Sequence, residues 1–196
     1  MQRHCFALVF ALLAAPAFAQ NTASAPSATE APAQARQFDF LLGEWQLDVH
    51  PKVSGLVAMI HGAPKLVGTW KAWAAKDGDG VEDELRIVDA SGNPMTLNRS
   101  RRSWSASQAR WKVSADDAYH ARHSESTAQL QNGEMRVDGR YVDADGKTVL
   151  TRTRYFDIGA AAFRMQQDRS TDDGQTWDEA VLTIDAKRTA ATAASP

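Results

Sequence analysis

The strongest constraint on this chain is a period-two alternation of apolar and polar residues, broken at short intervals by turn-forming pairs. Val81, Leu85 and Ile87 alternate with Glu82, Glu84 and Arg86, and Ala109, Trp111 and Val113 alternate with Arg110 and Lys112. Met135, Val137, Gly139 and Tyr141 alternate with Glu134, Arg136, Asp138 and Arg140; Ala180, Leu182 and Ile184 alternate with Val181, Thr183 and Asp185. Successive side chains of a strand point to opposite faces, so these segments read as half-buried strands. Between them stand Asp77-Gly78-Asp79-Gly80, Ser91-Gly92-Asn93-Pro94, Asn132-Gly133, Asp145-Gly146 and Asp173-Gly174, residues that tolerate the positive φ of tight hairpins. Proline is absent from Met95 to Ser195, so no ladder there loses a donor to it. The pattern predicts an all-β fold, a single antiparallel up-and-down barrel of about nine or ten strands, because closure removes the edges of a twisted sheet of that size. A β-sandwich is the alternative.

The flanks carry other signals. Arg3, the apolar run Phe6 to Ala15 and the small residues of Ala17-Phe18-Ala19 form a signal peptide over residues 1–19, with cleavage expected before Gln20. That run is about half the ~20 residues a membrane-spanning helix needs, so no membrane span is expected. Export to the periplasm or the exterior follows. Cys5, the only cysteine, leaves with the leader, which removes disulfides, thiolate chemistry and cysteine metal sites from the mature chain. Residues 20–36 are rich in Ala, Pro, Ser and Thr and read as a flexible linker; residues 189–196 read as a disordered tail. Residues 37–188 then form one domain. Within it, Lys52 to Lys65 alternates poorly and reads as a loop or short helix over one barrel mouth. The chain has 22 basic and 24 acidic side chains, a balance that gives no long-range attraction for nucleic acid or anionic membrane.

Two motifs are more specific. Phe38-Asp39-Phe40-Leu41-Leu42-Gly43-Glu44-Trp45 runs from an apolar turn into the first strand and ends in Gly-x-Trp. It resembles the lipocalin and wider calycin signature, in which the tryptophan plugs the closed end of the barrel. That resemblance implies a late basic residue stacked across the ring, and Arg188 or Lys187 stands at the matching place. A guanidinium over an indole face gains a cation–π contact. Ser170-Thr171-Asp172-Asp173-Gly174-Gln175-Thr176-Trp177 matches the Asp-box pattern S-x-D-x-G-x-T-W. In that pattern Asp172 accepts backbone hydrogen bonds, Gly174 takes the turn conformation and Trp177 packs beneath. A single box in so small a domain cannot make a propeller, so sialidase activity does not follow, and the box marks a hairpin between the last two strands.

With the strand Thr151-Arg152-Thr153-Arg154-Tyr155, these motifs resemble a family of exported bacterial proteins with calycin-like barrels, over roughly Phe38 to Arg188. The start is also similar to that of nitrobindin, a haem-binding barrel whose ligand is a late histidine. Here no histidine follows His123, and no cofactor is expected. The family brings no catalytic residues, so none is assigned.

Candidate ligand residues come from the strands. Leu150, Arg152, Arg154 and Phe156 share one face; Val149, Thr151, Thr153 and Tyr155 share the other. If the arginine face points inward, Arg152 and Arg154 require an anionic partner such as a carboxylate or phosphate ligand. If it points outward, they pair with neighbouring acids or lie over apolar surface. Arg99, Arg101 and Arg102 pose the same question. Among Trp70, Trp73, Trp104 and Trp111, most are packing, and Trp73 and Trp111 are taken as pocket candidates. His120 and His123 lie three residues apart, which on a strand puts them on opposite faces, and no metal site is expected. His123 shares a face with Glu125, a pair suited to acid–base work if it lines a cavity. Three functions remain open. The first is a barrel binding a small apolar or anionic molecule. The second is a packed envelope interaction module, and the third a small-molecule enzyme using His123, Glu125 or His61.

Overall fold

The computed structural model describes residues 33–53 and 62–189. The expected leader, most of the expected linker, the centre of the Lys52–Lys65 segment and the tail beyond Thr189 lie outside the described residues. The described part of the linker, Ala33–Arg36, forms one 3₁₀ turn, and a second covers Asp39–Leu41.

Ten strands follow: β1 (Gly43–Pro51), β2 (Leu66–Ala74), β3 (Val81–Asp89), β4 (Pro94–Ser105), β5 (Arg110–Asp117), β6 (Arg122–Gln131), β7 (Glu134–Val142), β8 (Thr148–Phe156), β9 (Ala162–Ser170) and β10 (Asp178–Arg188). Each pairs antiparallel with its sequence neighbours, and β10 closes on β1 to complete the barrel. The fold is the predicted up-and-down barrel, not a sandwich. Asn132 and Gly133, both at positive φ, make the two-residue connection between β6 and β7 that the right-handed strand twist favours.

Alternation sorts the side chains into an inside and an outside. On β5, Trp111, Val113, Ala115 and Asp117 are buried while Arg110, Lys112 and Asp116 are exposed. One pole of the barrel is sealed. Phe38 and Leu41, carried by the second 3₁₀ turn, are fully buried beneath it. Phe38 meets Trp111 edge-on with ring centroids 4.9 Å apart, and Phe163 meets Trp45 edge-on at 4.8 Å. Rings of this kind bury about 150–250 Å² each, so the plug holds much of the apolar burial that stabilises the fold. The Trp45 indole donates to the Leu41 carbonyl at 2.7 Å.

The seam of the barrel lies at this pole. Trp45 and Arg188 are cross-strand partners, and the Arg188 guanidinium sits 4.0 Å over the Trp45 ring. It also donates to the carbonyls of Ala160 and Leu42, both at 2.6 Å, and of Phe40 at 3.3 Å. Gly43 lies beneath it at φ +109, where a Cβ would come within 2.5 Å of the Arg188 Nη1. Glycine is needed there for both the backbone conformation and the close approach.

Candidate ligand-binding site

At the opposite pole no described residue forms such a plug, and the interior between that mouth and the plug holds a chamber. The inward residues of the middle strands are small: Ser100, Ala115, Ser124, Ser126 and Thr151. On β7 the inward position between Val137 and Tyr141 is Gly139, where a Cβ would approach Ser126 Oγ to 2.2 Å and Thr151 Oγ1 to 3.0 Å. Together they leave a chamber of about 220 Å³. Leu85, Ile87, Val113, Val137, Met165 and Leu182 supply its apolar wall. Hydroxyls from Thr96, Ser100, Ser124, Ser126, Thr151 and Thr153 and the amides of Asn98 and Gln167 supply the rest.

The inner end of the chamber holds a buried ion pair. Arg102 is 4% exposed, and its Nη1 pairs with Asp83. The Trp70 indole donates to the other Asp83 oxygen at 2.8 Å. Desolvation pushes the Arg102 pKa down, against the opposing influence of the Tyr155 phenol, yet a guanidinium stays protonated in a protein. The Arg102 guanidinium lies 5.1 Å from the Phe38 ring centroid, and its Nε has no hydrogen-bond partner among the described residues. Trp70, Arg102 and Tyr155 all line the chamber.

A second charged group frames the mouth. Asp117, the last residue of β5, is nearly fully buried. It takes Arg122 at 3.1 Å and the His120 ring at 2.6 Å, and accepts from the backbone N–H of Tyr119 at 3.1 Å. Arg122 lies 4.4 Å over the Tyr141 ring. Arg122, Tyr141, Gln167 and Leu182 line both the chamber and the depression outside it, which Lys52, Arg169 and Asp178 complete. The hydrogen bond from Lys52, at 2.7 Å, holds the Asp178 carboxyl below its ordinary pKa. The mouth therefore carries three cations, Lys52, Arg122 and Arg169, around two carboxylates.

The residues singled out from the sequence fall elsewhere. Arg152 and Arg154 are on the outer face, because Val149, Thr151, Thr153 and Tyr155 turn inward. Arg152 lies 3.8 Å over the Trp177 ring. Arg154 lies 4.6 Å over Phe156, donates to Gln166 at 3.1 Å and pairs with Glu134 at 3.6 Å. Trp73 is 46% exposed on the outside of β2 and donates to Glu82 at 3.1 Å. Trp111 is fully buried in the plug, with its indole donating to Gln37 at 3.3 Å, and it does not line the chamber. His123 is also outside, with Nδ1 2.8 Å from Asp116 and Nε2 2.9 Å from Glu125, so the pair does not face a cavity in the barrel. His61 lies outside the described residues. No group of three metal-ligating side chains occurs among the described residues.

The Asp box closes the β9–β10 hairpin. Asp172 accepts from the Thr176 N–H at 2.9 Å, the Thr176 hydroxyl at 2.6 Å and the Ser170 hydroxyl at 2.7 Å. These bonds, led by the Thr176 hydroxyl, lower its pKa from 3.8 to about 2. Gly174 adopts φ +84, and the Trp177 indole donates to its carbonyl at 3.1 Å.

The sequence raises Arg102 only alongside Arg99 and Arg101, and its partner Asp83 was missed, though the signal was present. Consecutive charged residues in a strand must straddle the sheet, so either Arg101 or Arg102 had to face inward. Asp83 occupies the apolar register of Val81, Leu85 and Ile87.

Fold and chamber together define a closed antiparallel β-barrel, sealed at one pole and with a chamber in its interior, an architecture compatible with the calycin and lipocalin-like group. No protein-family model and no curated protein sequence matches the chain. Among the described residues no helix is long and apolar enough to cross a membrane.

Proposed function

We propose that this is an exported binding protein that holds one small polar or anionic molecule inside the barrel, admitted through the pole opposite the plug. The observation that carries this is the hollow, hydroxyl-lined chamber with a buried guanidinium, Arg102, at its inner end. The volume of about 220 Å³ lies just under the ~300–1,000 Å³ of sites for drug-sized ligands. An apolar guest would leave the hydroxyls and the Arg102 Nε unpaired, at about 1–3 kcal/mol for each stranded polar group. Polar guests reproduce the bonds those groups otherwise make to water. A long acyl chain fits neither the volume nor the lining. Of the apolar and anionic ligands expected from the sequence, the interior favours the polar, anionic kind. The cations at the mouth favour it too. Hollowness weighs against a packed interaction module, and the outward His123–Glu125 pair weighs against acid–base chemistry in the barrel.

Native mass spectrometry of the purified chain, paired with fluorescence titration of Trp70 on the chamber wall, tests this reading. Small hydroxy acids and sugar acids are expected to bind, and long-chain fatty acids are not. Thr151→Val, which keeps shape and removes one lining hydroxyl, is expected to weaken binding several-fold without a change in fold. No bound mass and no response across the polar panel would overturn the proposal. Fractionation of producing cells would test export, with retention in the cytoplasm as the adverse result.

A further inference from the structure

We propose a second site on the outside of the barrel: the face of β5 to β8 binds a chain of acidic polysaccharide. Two adjoining depressions of about 420 and 550 Å³ cross this face and share Thr127, Asp138 and Arg152. Their lining contains six cations: Arg110, Lys112, Arg136, Arg140, Arg152 and Arg154. It contains three acids, two of them already engaged. Asp168 accepts from Gln166 at 2.9 Å and from the Ala180 N–H at 2.8 Å, and Glu125 is held by His123 at 2.9 Å. Only Asp138 remains uncommitted. The chain as a whole carries more acid than base, so this face departs from the rest in sign.

The pairing pattern departs as well. Across β1 to β4, Lys71 pairs with Glu44, Arg86 and Arg99 with Glu84, and Arg101 with Glu82 and Asp77. On the β5–β8 face, Arg110, Lys112, Arg140 and Arg152 have no carboxylate partner within ion-pair distance among the described residues. Arg136 and Arg154 are directly opposed across β7 and β8, an arrangement that destabilises a sheet, with Glu134 bridging them at 3.3 and 3.6 Å. Lys112, Thr127, Asp138 and Arg152 form one cross-strand row. At about 4.8 Å per strand it places Lys112 and Arg152 roughly 14 Å apart. Arg136 and Arg140 are roughly 13 Å apart along β7. That extent exceeds one small anion and suits a chain of repeating charge.

Which polymer follows from what the face lacks. The barrel has no free strand edge, so an acidic peptide cannot add as a strand. Single-stranded nucleic acid needs uncovered rings for its bases to stack on. Here Arg152 covers Trp177 at 3.8 Å, and both Arg154 and Arg164 lie 4.6 Å over Phe156. What lies among the cations is hydrogen-bonding: Thr127, Gln129 and Gln131. Guanidiniums for carboxylates, with amides and a hydroxyl between them, match a polyuronate.

The test uses the intact folded protein and polygalacturonate as probe, by affinity electrophoresis and calorimetry. Binding is expected at about 0.01 M salt and is expected to fade as screening rises toward 0.5 M. Arg110, Lys112 and Arg140 make no side-chain hydrogen bond, ion pair or ring contact among the described residues, so Arg110→Ser, Lys112→Ser and Arg140→Ser together should weaken it about tenfold, 1.4 kcal/mol. A matched triple on the other face, Lys71→Ser, Arg86→Ser and Arg99→Ser, removes the same charge and should leave binding within about twofold. Equal losses in the two triples would reduce the effect to net charge and overturn the proposal. So would absence of binding to polygalacturonate, or equal binding to neutral dextran or to single-stranded polythymidine.

Discussion

Removing half of the buried Asp83–Arg102 pair should destabilise the barrel more than removing both members. Asp83→Leu leaves the Arg102 guanidinium inside without a counter-ion and strands the Trp70 indole, which donates to Asp83 at 2.8 Å. Breaking a buried pair costs about 3–5 kcal/mol, and the stranded indole adds about 1 kcal/mol. Domains of this kind unfold with about 5–15 kcal/mol in total, so the single variant loses a large part of its stability. At about 2–4 °C per kcal/mol for a domain of this size, its Tm should fall by roughly 10–20 °C. The double variant, Asp83→Leu with Arg102→Met, removes both charges and restores apolar packing, and should lie within about 2 kcal/mol of the parent. Urea unfolding followed by tryptophan fluorescence, with calorimetry for Tm, reads both. A single variant within 1 kcal/mol of the parent, or a double variant as unstable as the single, would refute the reasoning. If the double variant is stable, it also isolates function, because it folds with an uncharged inner wall and should lose affinity for the polar ligands proposed above.

Three further outcomes follow from the structure. Arg188→Ala removes the cation from over Trp45 and three hydrogen bonds, two of them across the seam, and should cost about 1–3 kcal/mol in chemical denaturation; Arg188→Lys should recover less than half, since an ammonium cannot span three carbonyls. Asp172, lowered from 3.8 to about 2, stabilises the fold fully above its unfolded pKa and loses that contribution as pH falls through about 2. Asp172→Asn should therefore flatten acid unfolding between about pH 4 and 2, and an unchanged acid limb would contradict this. His123 is raised above 6.5 by its bond to Asp116 and then by Glu125, so its contribution is complete below 6.5 and disappears as pH rises through the folded value. An imidazole titration midpoint at or below 6.5 by nuclear magnetic resonance would refute that pairing.

The strands and hairpins were legible because their signals are local. The alternation of Met135 to Tyr141 and the Asn132-Gly133 pair each state their geometry within a few residues. Gly43-Glu44-Trp45 is equally local, and the calycin resemblance implied a late basic partner, Arg188 or Lys187, of which Arg188 stacks on the ring. The inward face of β8 was not legible. Leu150 and Phe156 on one side and Val149 and Tyr155 on the other are equally apolar. The choice is made by the plug, where Tyr155 lies 5.9 Å from Trp70 and 6.4 Å from Phe38. The hollow was beyond reach for a related reason. It arises where Ser126, Gly139 and Thr151 of three strands fall side by side, a coincidence of register that no single segment contains.

Because β10 returns beside β1, the ring of strands begins and ends at one place: the Thr189 N–H donates to the Glu44 carbonyl at 2.9 Å. The two ends of the strand ring therefore both leave the barrel at its stoppered base, on the far side from the mouth that Asp117 and Arg122 frame. A ring of strands joined in this way also has no privileged starting point. Linking the two ends and cutting the chain at Asn132-Gly133 should give a permuted protein with the same interior.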